Sequence, residues 1–357
     1  MAGALRVALV GDWPPPRGGL SIHVAALARD LAARGVDVRV LDIGRGDHAG
    51  ANVRPARGAL PYAAALAAVA AEGRLVHVHT SGANAKSWLV ALAGGRARRP
   101  AAPRGVLTVH SGLCPAWLAA SARRRALAAW ACAGYARVVA VSDAIAGALA
   151  AAGVPPRRIA VLPPFSAAML RPGPPPPALA AFRAARRPLF AAALAPGPTY
   201  GADVLLAALS AVRARAPGAG LAAFGPGTEA LPGDRAGILA LGDVPHGAAL
   251  AVIAAADALV RPTRADGDAV SVREALALGT PVVATAIGHR PPGCLLVPAG
   301  DAAALAAAME RAAAAPRGRP RAAGADPFDA LHALYRTLAA PRPLPDGGRP
   351  GERAPIF

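Results

Sequence analysis

The chain of 357 residues is poor in aromatic residues, cysteine and long uncharged segments, and each shortage excludes a class of protein. Only six Phe, four Trp and four Tyr are present, which disfavours a β-sandwich, since that fold fills its strands with aromatic and β-branched residues. The three cysteines lack Cys-x-x-Cys spacing, so neither a disulfide framework nor a zinc-cysteine site is indicated, and a reducing cytoplasm is expected. The longest run without a charged residue, 105–122, is interrupted by His110, Gly112 and Pro115, so no segment is predicted to span a bilayer.

The charge balance is strongly basic. Lys and Arg together number 39 against 21 Asp and Glu, a net charge of +18, and Lys86 is the only lysine. The arginines form scattered pairs with few aromatic residues among them, which disfavours nucleic acid as a partner. Two explanations stay open: the arginine content reflects a GC-rich coding sequence, or it suits an anionic membrane surface.

Short apolar runs alternate with longer Ala- and Leu-rich segments of helical spacing, and this alternation occurs twice along the chain. It predicts an α/β protein of two doubly wound, Rossmann-like domains, each with a parallel sheet. Ligands of such sheets bind at the carboxyl ends of the strands, so we expect a cleft where the two domains face each other. The predicted strands are Arg6–Val10, Val36–Leu41, Leu75–His79, Val106–His110, Val138–Val141, Ile159–Leu162, Pro188–Leu194, Gly220–Phe224, Ile238–Leu241, Ala258–Arg261, Pro281–Thr285 and Cys294–Val297.

Proline marks the boundary between the two halves. The proline-rich run Arg171–Pro177 can continue neither a helix nor a central strand, and it indicates an interdomain linker. The predicted divisions are an N-terminal domain at 1–165, a linker at 166–187, a C-terminal domain at 188–325, a final helix at 326–340 and a disordered tail at 341–357.

Two glycine turns follow predicted strands. Gly18 and Gly19 stand directly before a predicted helix, where a bare backbone and the free amides of the helix start suit an anion such as phosphate. Gly225, in the second half, can present its amides in the same way. Neither turn has the G-x-G-x-x-G dinucleotide spacing, which disfavours a nicotinamide-dependent oxidoreductase. An ordinary tight turn is the alternative for both.

The segment after the predicted strand ending at Arg261 combines carboxylates with a helix start. Asp266 and Asp268 lie in a polar loop, and Glu274 follows Asp266 by eight residues, inside a predicted helix. Carboxylates so placed can face the cleft and accept hydrogen bonds from two sets of hydroxyls, while the unpaired amides of residues 268–271 suit a diphosphate. The alternative is an acidic first turn that only complements the helix dipole.

The same segment carries a family resemblance. It reads Asp266-Gly267, then Glu274-Ala275, then Gly279 and Pro281-Val-Val-Ala284. It resembles the signature Glu-Gly-Phe-Gly-x-x-x-x-Glu-Ala-x-x-x-Gly-x-Pro-Val-Val-Ala of the group 1 family of retaining, nucleotide-sugar-dependent glycosyltransferases with the GT-B fold. The resemblance extends from about residue 5 to about residue 315, and its supporting matches are Gly18-Gly19, Leu107–His110, Val139–Ser142, Gly225-Pro226 and Leu296–Asp301.

The resemblance implies a role for each matching residue. Glu274 would bind the nucleotide ribose hydroxyls, while Asp266 and His110, the candidate catalytic residues, would lie at the donor sugar. The other residues implied in donor binding are Gly18, Gly19, Gly225, Arg264, Gly267, Asp268, Ala269, Val270 and Ser271. For His110, a capped histidine at a strand end is the alternative.

The family's chemistry implies no cofactor and no metal. A nucleoside-diphosphate sugar is the co-substrate, and the acceptor attacks the face of the sugar that the diphosphate leaves, which gives retention without a protein nucleophile. His77 and His79 share one face of a predicted strand but lack further partners, so no metal site is predicted.

Two departures from the family put activity in question. The family's Arg and Lys at the donor diphosphate are replaced by Ala193 and Tyr200, although Arg261, Arg264 or Arg290 can supply the charge from other loops. The Phe-Gly of the signature is replaced by Asp268-Ala269, which adds a negative charge. Two hypotheses therefore stand: an active glycosyltransferase, or a catalytically impaired GT-B protein that binds a sugar nucleotide or a partner glycosyltransferase without turnover.

The acceptor is the least defined part of the prediction. The first half is rich in arginine and has apolar helical segments at Leu60–Ala71 and Pro115–Ala133. This pattern favours a cytoplasmic enzyme that rests on the inner face of an anionic membrane and serves a lipid-linked glycan in cell-surface polysaccharide or glycoconjugate synthesis. A soluble protein acting on a glycan or small molecule is the alternative.

Overall fold

A computed structural model describes residues 5–46, 48, 50–100, 102–231, 237–318 and 325–340. The predicted tail at 341–357 lies outside these residues. The described chain forms two α/β domains, each built on a parallel sheet with helices on its faces, which confirms the predicted fold class.

The described part of the N-terminal domain has a sheet of seven parallel strands, which are β1 (Arg6–Gly11), β2 (Asp37–Asp42), β3 (Val53–Pro55), β4 (Leu75–Thr80), β5 (Val106–Val109), β6 (Arg137–Ala140) and β7 (Ile159–Val161). Their order is β3-β2-β1-β4-β5-β6-β7. Because β1 lies between β2 and β4, the chain reverses direction across the sheet there, and a crevice opens at the carboxyl ends of β1 and β4. The short strand β3 was not predicted.

The C-terminal domain repeats this plan with six parallel strands among its described residues, which are β8 (Leu189–Ala193), β9 (Gly220–Phe224), β10 (Ile238–Ala240), β11 (Ala258–Arg261), β12 (Val282–Thr285) and β13 (Cys294–Val297). Their order is β10-β9-β8-β11-β12-β13. The reversal falls between β8 and β11, so the loop after Arg261 starts at the second crevice.

Helices cover both faces of each sheet. Strands buried on both sides need continuous apolar runs, and Val7, Ala8, Leu9 and Val10 of β1 are fully buried. The helices are α1 (Gly19–Ala33), α2 (Ala59–Ala71), α3 (Ala85–Gly94), α4 (Cys114–Ala119), α5 (Ala122–Cys132), α6 (Asp143–Ala151), α7 (Pro177–Ala185), α8 (Ala202–Arg215), α9 (His246–Ala255), α10 (Val270–Ala277), α11 (Ala302–Ala314) and α12 (Pro327–Ala339). Among the described residues, no helix has both the length and the apolar content that crossing a bilayer requires.

The segment predicted as a linker contains structure of its own. Helix α7 begins at Pro177, the last proline of the run, because proline lacks only an amide that the first helical position leaves unpaired anyway. Leu179 of α7 packs in the core of the C-terminal domain, and Arg183 pairs with Asp257 at 2.5 Å. The run thus continues neither a helix nor a strand, as expected, and its last residue begins α7.

Helix α12 returns to the N-terminal domain. Phe328, Leu331 and Tyr335 are buried against β1 and α1. The side chain of Asp326 caps the helix and also accepts a hydrogen bond of 2.7 Å from the hydroxyl of Ser166. The chain thus crosses between the domains twice.

Candidate active site

A cavity of about 860 Å³ lies between the carboxyl ends of the two sheets. Both domains contribute to its wall, through the loops after β1 and β2 on one side and the starts of α9 and α10 on the other. Its size suits a ligand such as a sugar nucleotide, since ligand pockets commonly range from about 300 to 1,000 Å³.

The glycine loop before α1 joins the two domains at the cavity. The amide of Arg17 donates to both carboxylate oxygens of Asp243, at 3.1 and 3.2 Å, and its guanidinium donates to the Asp243 carbonyl at 3.2 Å. A side chain at Gly19 would contact Val270, at the start of α10. The loop therefore reaches across the cavity to the C-terminal domain, and closure of Gly18 and Gly19 over a diphosphate stays a prediction.

Glu274 faces the cavity from α10. Its side chain is buried, and Nε2 of His246, at the start of α9, donates to its Oε1 at 2.6 Å. Both residues line the cavity. A carboxylate has two oxygens, so this bond orients the group and leaves the second oxygen for hydroxyl donors of a ligand.

Asp266 is held by cations behind the cavity wall. Its Oδ2 accepts hydrogen bonds from Arg261 at 3.0 Å, Arg290 at 3.2 Å and the Thr263 hydroxyl at 3.2 Å. Burial disfavours the charged carboxylate, but the charges of Arg261 and Arg290 outweigh burial and lower the pKa of Asp266. The carboxylate is therefore ionised and fixed in an ion-pair network.

Asp268 is paired with an arginine of the helix that follows its loop. Arg273 of α10 donates to its two oxygens at 2.7 and 2.5 Å, and the carboxylate is buried. Burial raises the pKa of Asp268, and Arg273 opposes that shift. The extra negative charge seen in the sequence is thus paired with a guanidinium, and neither residue lines the cavity.

The loop of residues 262–269, which carries Asp266 and Asp268 and is called the acidic loop, contacts the N-terminal domain at glycines. A Cβ at Gly112 would lie 1.9 Å from the carbonyl oxygen of Asp266, and one at Gly267 would lie 2.6 Å from the carbonyl oxygen of His110. These distances permit no side chain. The loop after β5 and the acidic loop therefore form a tight seam between the domains, beside the cavity.

His110 belongs to a cluster of histidines in the N-terminal domain. Its ring lies 5.2 Å from that of His23 and 5.4 Å from that of His79, between centroids. Burial lowers the pKa of His23 to about 4, and burial together with the neighbouring rings lowers the pKa of His79 and His110 well below the usual range. The rings are neutral at pH 7. The prediction that His79 lacks partners and that no metal-ligand cluster exists is wrong, because the fold brings these three residues together.

The cations at the cavity differ from those of the family pattern. Ala193 and Tyr200 line the wall, and Arg261 fills the space beside them: its guanidinium donates to the Ala193 carbonyl at 3.0 Å and lies 5.2 Å from the Tyr200 ring centroid. Arg264 points away and pairs with Asp203 on the surface at 2.5 Å. The N-terminal domain adds further positive charge to the wall, from Arg17, Arg45, Arg57 and Lys86.

The structure divides the predicted site residues into two groups. The residues that line the cavity are Gly18, Gly19, Gly225, Val270, Ser271 and Glu274. Those that lie outside its wall are His110, Arg264, Asp266, Gly267, Asp268 and Ala269.

The polar residues of the wall that sequence reasoning missed include Asp12, Asp243 and His246. Asp12 directly follows β1, and burial together with Asp42 raises its pKa. All three lie in loops after strands or at a helix start, positions that parallel sheets turn toward the ligand, and this placement is the signal that could have found them.

The two facing Rossmann-like domains with a polar cavity between them define a GT-B protein. Residues 17–165 match the family model of Glycosyltransferase Family 4, and residues 185–315 match that of Glycosyl transferases group 1. These two matches confirm the resemblance to the group 1 glycosyltransferases that the sequence motifs indicate.

Several solved structures share the fold. Sucrose-phosphate synthase from Thermosynechococcus elongatus is 21% identical, with a TM-score of 0.64 over 94% of this chain and 95% of that chain. Anabaena HepE, in complex with UDP and glucose, is 18% identical, with a TM-score of 0.62 over 93% and 95%. UDP-GlcNAc 2-epimerase from Methanocaldococcus jannaschii, in complex with UDP-GlcNAc and UDP, is 12% identical, with a TM-score of 0.61 over 92% and 99%. No curated protein matches the sequence.

Proposed function

We propose that the chain transfers a sugar from a nucleoside-diphosphate sugar to a lipid-linked acceptor, with retention of configuration. The observation that carries the donor assignment is the Glu274 carboxylate, which is 4% exposed, oriented by His246 and turned to a cavity of about 860 Å³. A buried carboxylate with one oxygen engaged is suited to accept hydrogen bonds from the two hydroxyls of a ribose.

The diphosphate would lie between the start of α10 and the glycine loop. Val270 and Ser271 contribute free helix-start amides to the cavity wall there, and Gly18 and Gly19 face them. In this proposal Arg261 supplies the charge that the family places at the positions of Ala193 and Tyr200. Two proteins of the same fold, HepE and the UDP-GlcNAc 2-epimerase, are solved in complex with UDP, the latter also with UDP-GlcNAc, which supports a sugar nucleotide as the ligand.

The proposed transfer exchanges one bond for another at the anomeric carbon. The bond from that carbon to the diphosphate oxygen breaks, and a bond to the acceptor hydroxyl oxygen forms on the same face. The hydroxyl proton passes to the departing diphosphate oxygen, which lies on that face. Positive side chains at the cavity then stabilise the diphosphate as its charge grows, and this transfer needs no metal at the diphosphate.

A second groove supports the lipid-linked acceptor. It measures about 650 Å³, lies between α2 and α3 of the N-terminal domain and is lined mainly by apolar residues, among them Tyr62, Leu66 and Val90. Ile43 and Lys86 line both the groove and the donor cavity, so the two are adjacent. We assign the groove to the apolar tail of the acceptor.

Charge and exposure around the groove fit a membrane surface. Arg96 and Arg98 line it together with Lys86, and these cations suit the phosphate of a lipid carrier or anionic headgroups. Leu60 and Leu89, on the two flanking helices, are 84% and 54% exposed. Apolar side chains next to arginines are the composition of a surface that rests on anionic lipid.

Donor binding and turnover test the proposal separately. Calorimetry with UDP, GDP and ADP would measure binding, and release of free nucleoside diphosphate from UDP-, GDP- and ADP-sugars would measure turnover with a polyprenyl-phosphate-linked acceptor. Glu274→Gln is expected to weaken nucleotide binding by about 10- to 100-fold, because hydrogen bonds to a charged group contribute about 1.5–3 kcal/mol. The matched control is Glu310→Gln, on the surface of α11. Binding of no nucleotide would refute the donor assignment.

Binding without transfer is the second candidate function. The replacement of two family cations by Ala193 and Tyr200 is the observation that favours it. Nucleotide binding with no release of diphosphate, in the presence of vesicles and lipid-linked acceptors, would support this candidate and refute the enzyme.

A further inference from the structure

Three histidines from separate elements meet in the N-terminal domain. His23 lies on α1, His79 on β4 and His110 directly after β5. Their ring centroids form a nearly equilateral triangle with sides of 5.3, 5.2 and 5.4 Å. One ring nitrogen from each lies within 4.8 Å of the other two.

The ring nitrogens of this cluster are poorly satisfied. Nδ1 of His23 lies 2.8 Å from the carbonyl oxygen of Pro164, which can only accept, so Nδ1 carries the proton and Nε2 presents a bare lone pair. Nε2 of His23 and Nε2 of His79 are both buried and have no hydrogen-bond partner among the described residues. Buried polar atoms without partners are uncommon, and two in one cluster point to a missing ligand.

His77 lies on β4 with His79 and is equally buried, and it shows that burial alone does not leave ring nitrogens without partners. Both ring nitrogens of His77 have partners, Nδ1 with the Tyr335 hydroxyl and Nε2 with the Thr108 hydroxyl at 2.7 Å. The unsatisfied nitrogens are therefore a feature of His23 and His79, whose rings lie beside that of His110.

We propose that His23, His79 and His110 form a binding site for one divalent transition-metal ion of the Zn²⁺ type. Neutral imidazoles are the ligands such ions prefer, and three of them leave a fourth tetrahedral position for water. The Pro164 carbonyl would hold the first of these rings in the ligating tautomer, as carbonyl partners commonly do for metal-bound histidines.

The spacing of the cluster is close to that of a metal site. Zn–N bonds of about 2.0–2.1 Å place two tetrahedral nitrogen ligands about 3.4 Å apart. Nδ1 of His79 and Nε2 of His110 share a hydrogen bond of 3.2 Å, so these two rings already approach each other as closely as two ligands of one ion do. One nitrogen from each ring lies within 4.8 Å of the other two, so the third nitrogen needs a movement of roughly 1.5 Å, which ring rotations can provide.

The ion would link three elements on the cavity side of the N-terminal domain. His110 also borders the seam with the C-terminal domain, since its carbonyl oxygen faces Gly267. The site would therefore fix the loop after β5 in the position that contacts the acidic loop. None of the three histidines lines the donor cavity, so the ion would lie apart from the proposed diphosphate position. The metal site therefore does not depend on the proposed transfer.

Cobalt provides a direct test. The full chain, freed of metal with a chelator, would be titrated with Co²⁺, whose visible absorption distinguishes tetrahedral from octahedral coordination, and Zn²⁺ would then compete. We expect one Co²⁺ per chain with a tetrahedral spectrum, displacement by Zn²⁺ and a higher melting temperature with Zn²⁺. Absence of the tetrahedral spectrum in the unmodified chain would overturn the proposal, whatever the variants do.

Variants locate the ion. His110→Gln, the least buried of the three, is expected to weaken Co²⁺ binding by more than the roughly 10- to 100-fold that loss of a ligand's own hydrogen-bond partner costs. His332→Gln, on α12 and outside the cluster, is the matched control and should bind as the unmodified chain does. Equal binding by both variants would show that the ion lies elsewhere and would refute the site. Circular dichroism confirms that each variant is folded.

Discussion

Arg261 offers the sharpest test of the donor site, because it is the cation that the structure places beside Ala193 and Tyr200. Its side chain is 12% exposed, lines the cavity and is held by Asp266 and the Ala193 carbonyl. Removing one preorganised contact to a developing negative charge typically costs about 3–4 kcal/mol. We therefore expect Arg261→Gln to lower kcat/KM for the donor by about 10²- to 10³-fold.

The stability cost of this substitution should be smaller than its effect on catalysis. Asp266 keeps Arg290 and the Thr263 hydroxyl as partners, so no carboxylate is left buried alone. Circular dichroism and urea unfolding would confirm that Arg261→Gln is folded, and steady-state kinetics of diphosphate release would give kcat/KM.

Arg264 provides the control three residues away. It pairs with exposed Asp203 and lies outside the cavity wall, so Arg264→Gln should leave kcat/KM within about twofold, as surface ion pairs contribute little. The reasoning is refuted if Arg261→Gln retains near-normal kcat/KM, or if Arg264→Gln loses as much activity as Arg261→Gln does.

Three further predictions concern the seam, the core and pH. Gly112→Ala places a Cβ 1.9 Å from the Asp266 carbonyl oxygen, so it should separate the two loops and lower kcat/KM at least about tenfold; unchanged kinetics would show that the seam is not needed. Tyr335→Phe leaves Nδ1 of buried His77 without its partner and should cost about 1–3 kcal/mol in urea unfolding; a smaller loss would contradict that hydrogen bond's importance. Burial lowers the pKa of His23 from 6.5 to about 4, so the unfolded chain binds the extra proton between these values. In the metal-free chain the stability from His23 is complete above pH 6.5 and falls by roughly 3 kcal/mol as pH approaches 4. Urea unfolding at several pH values should show that His23→Phe removes this share of the acid destabilisation, while buried His77, His79 and His110 keep theirs.

A surface prediction tests the acceptor proposal. Leu89→Glu, at the apolar groove, should weaken co-sedimentation with anionic vesicles, because it puts a negative charge among exposed apolar side chains near Arg96. Leu296→Glu, equally exposed on β13 of the C-terminal domain, is the control and should sediment as the unmodified chain does. High salt should weaken the association of both; association that is equal in the two variants would argue against the groove as the membrane face.

The fold could be predicted because its central strands are buried on both faces. Such strands appear in the sequence as uninterrupted apolar runs, and the six strands predicted for the C-terminal domain are all present in its described part. The exceptions are informative. Strand β3 has three residues, of which one is apolar and one is proline, so it lacks the alternating apolar pattern of a strand. Helix α7 starts at the end of a proline run, which hides the 3.6-residue spacing of a helix.

Site residues that lie together in one segment of the sequence could be predicted, whereas residues that only the fold brings together could not. Glu274 stands in a local motif, and the structure places it at the cavity. Its partner His246 is 28 residues away and was missed, because only the neighbouring starts of α9 and α10 bring the two together. In the same way, Arg261 and Arg264 look equivalent in sequence, but Asp203 on α8 draws Arg264 to the surface.

The return of α12 to the N-terminal domain limits how the two lobes can move. The C-terminal lobe is anchored at two points, through the segment around α7 and through the connection that leads to α12. A lobe that is connected at two points cannot rotate freely about either point alone. It opens by rotation about the axis that passes through both connections. Mutations at the cap formed by Asp326 and Ser166 should therefore change the rate of cleft opening without touching any residue of the cavity wall.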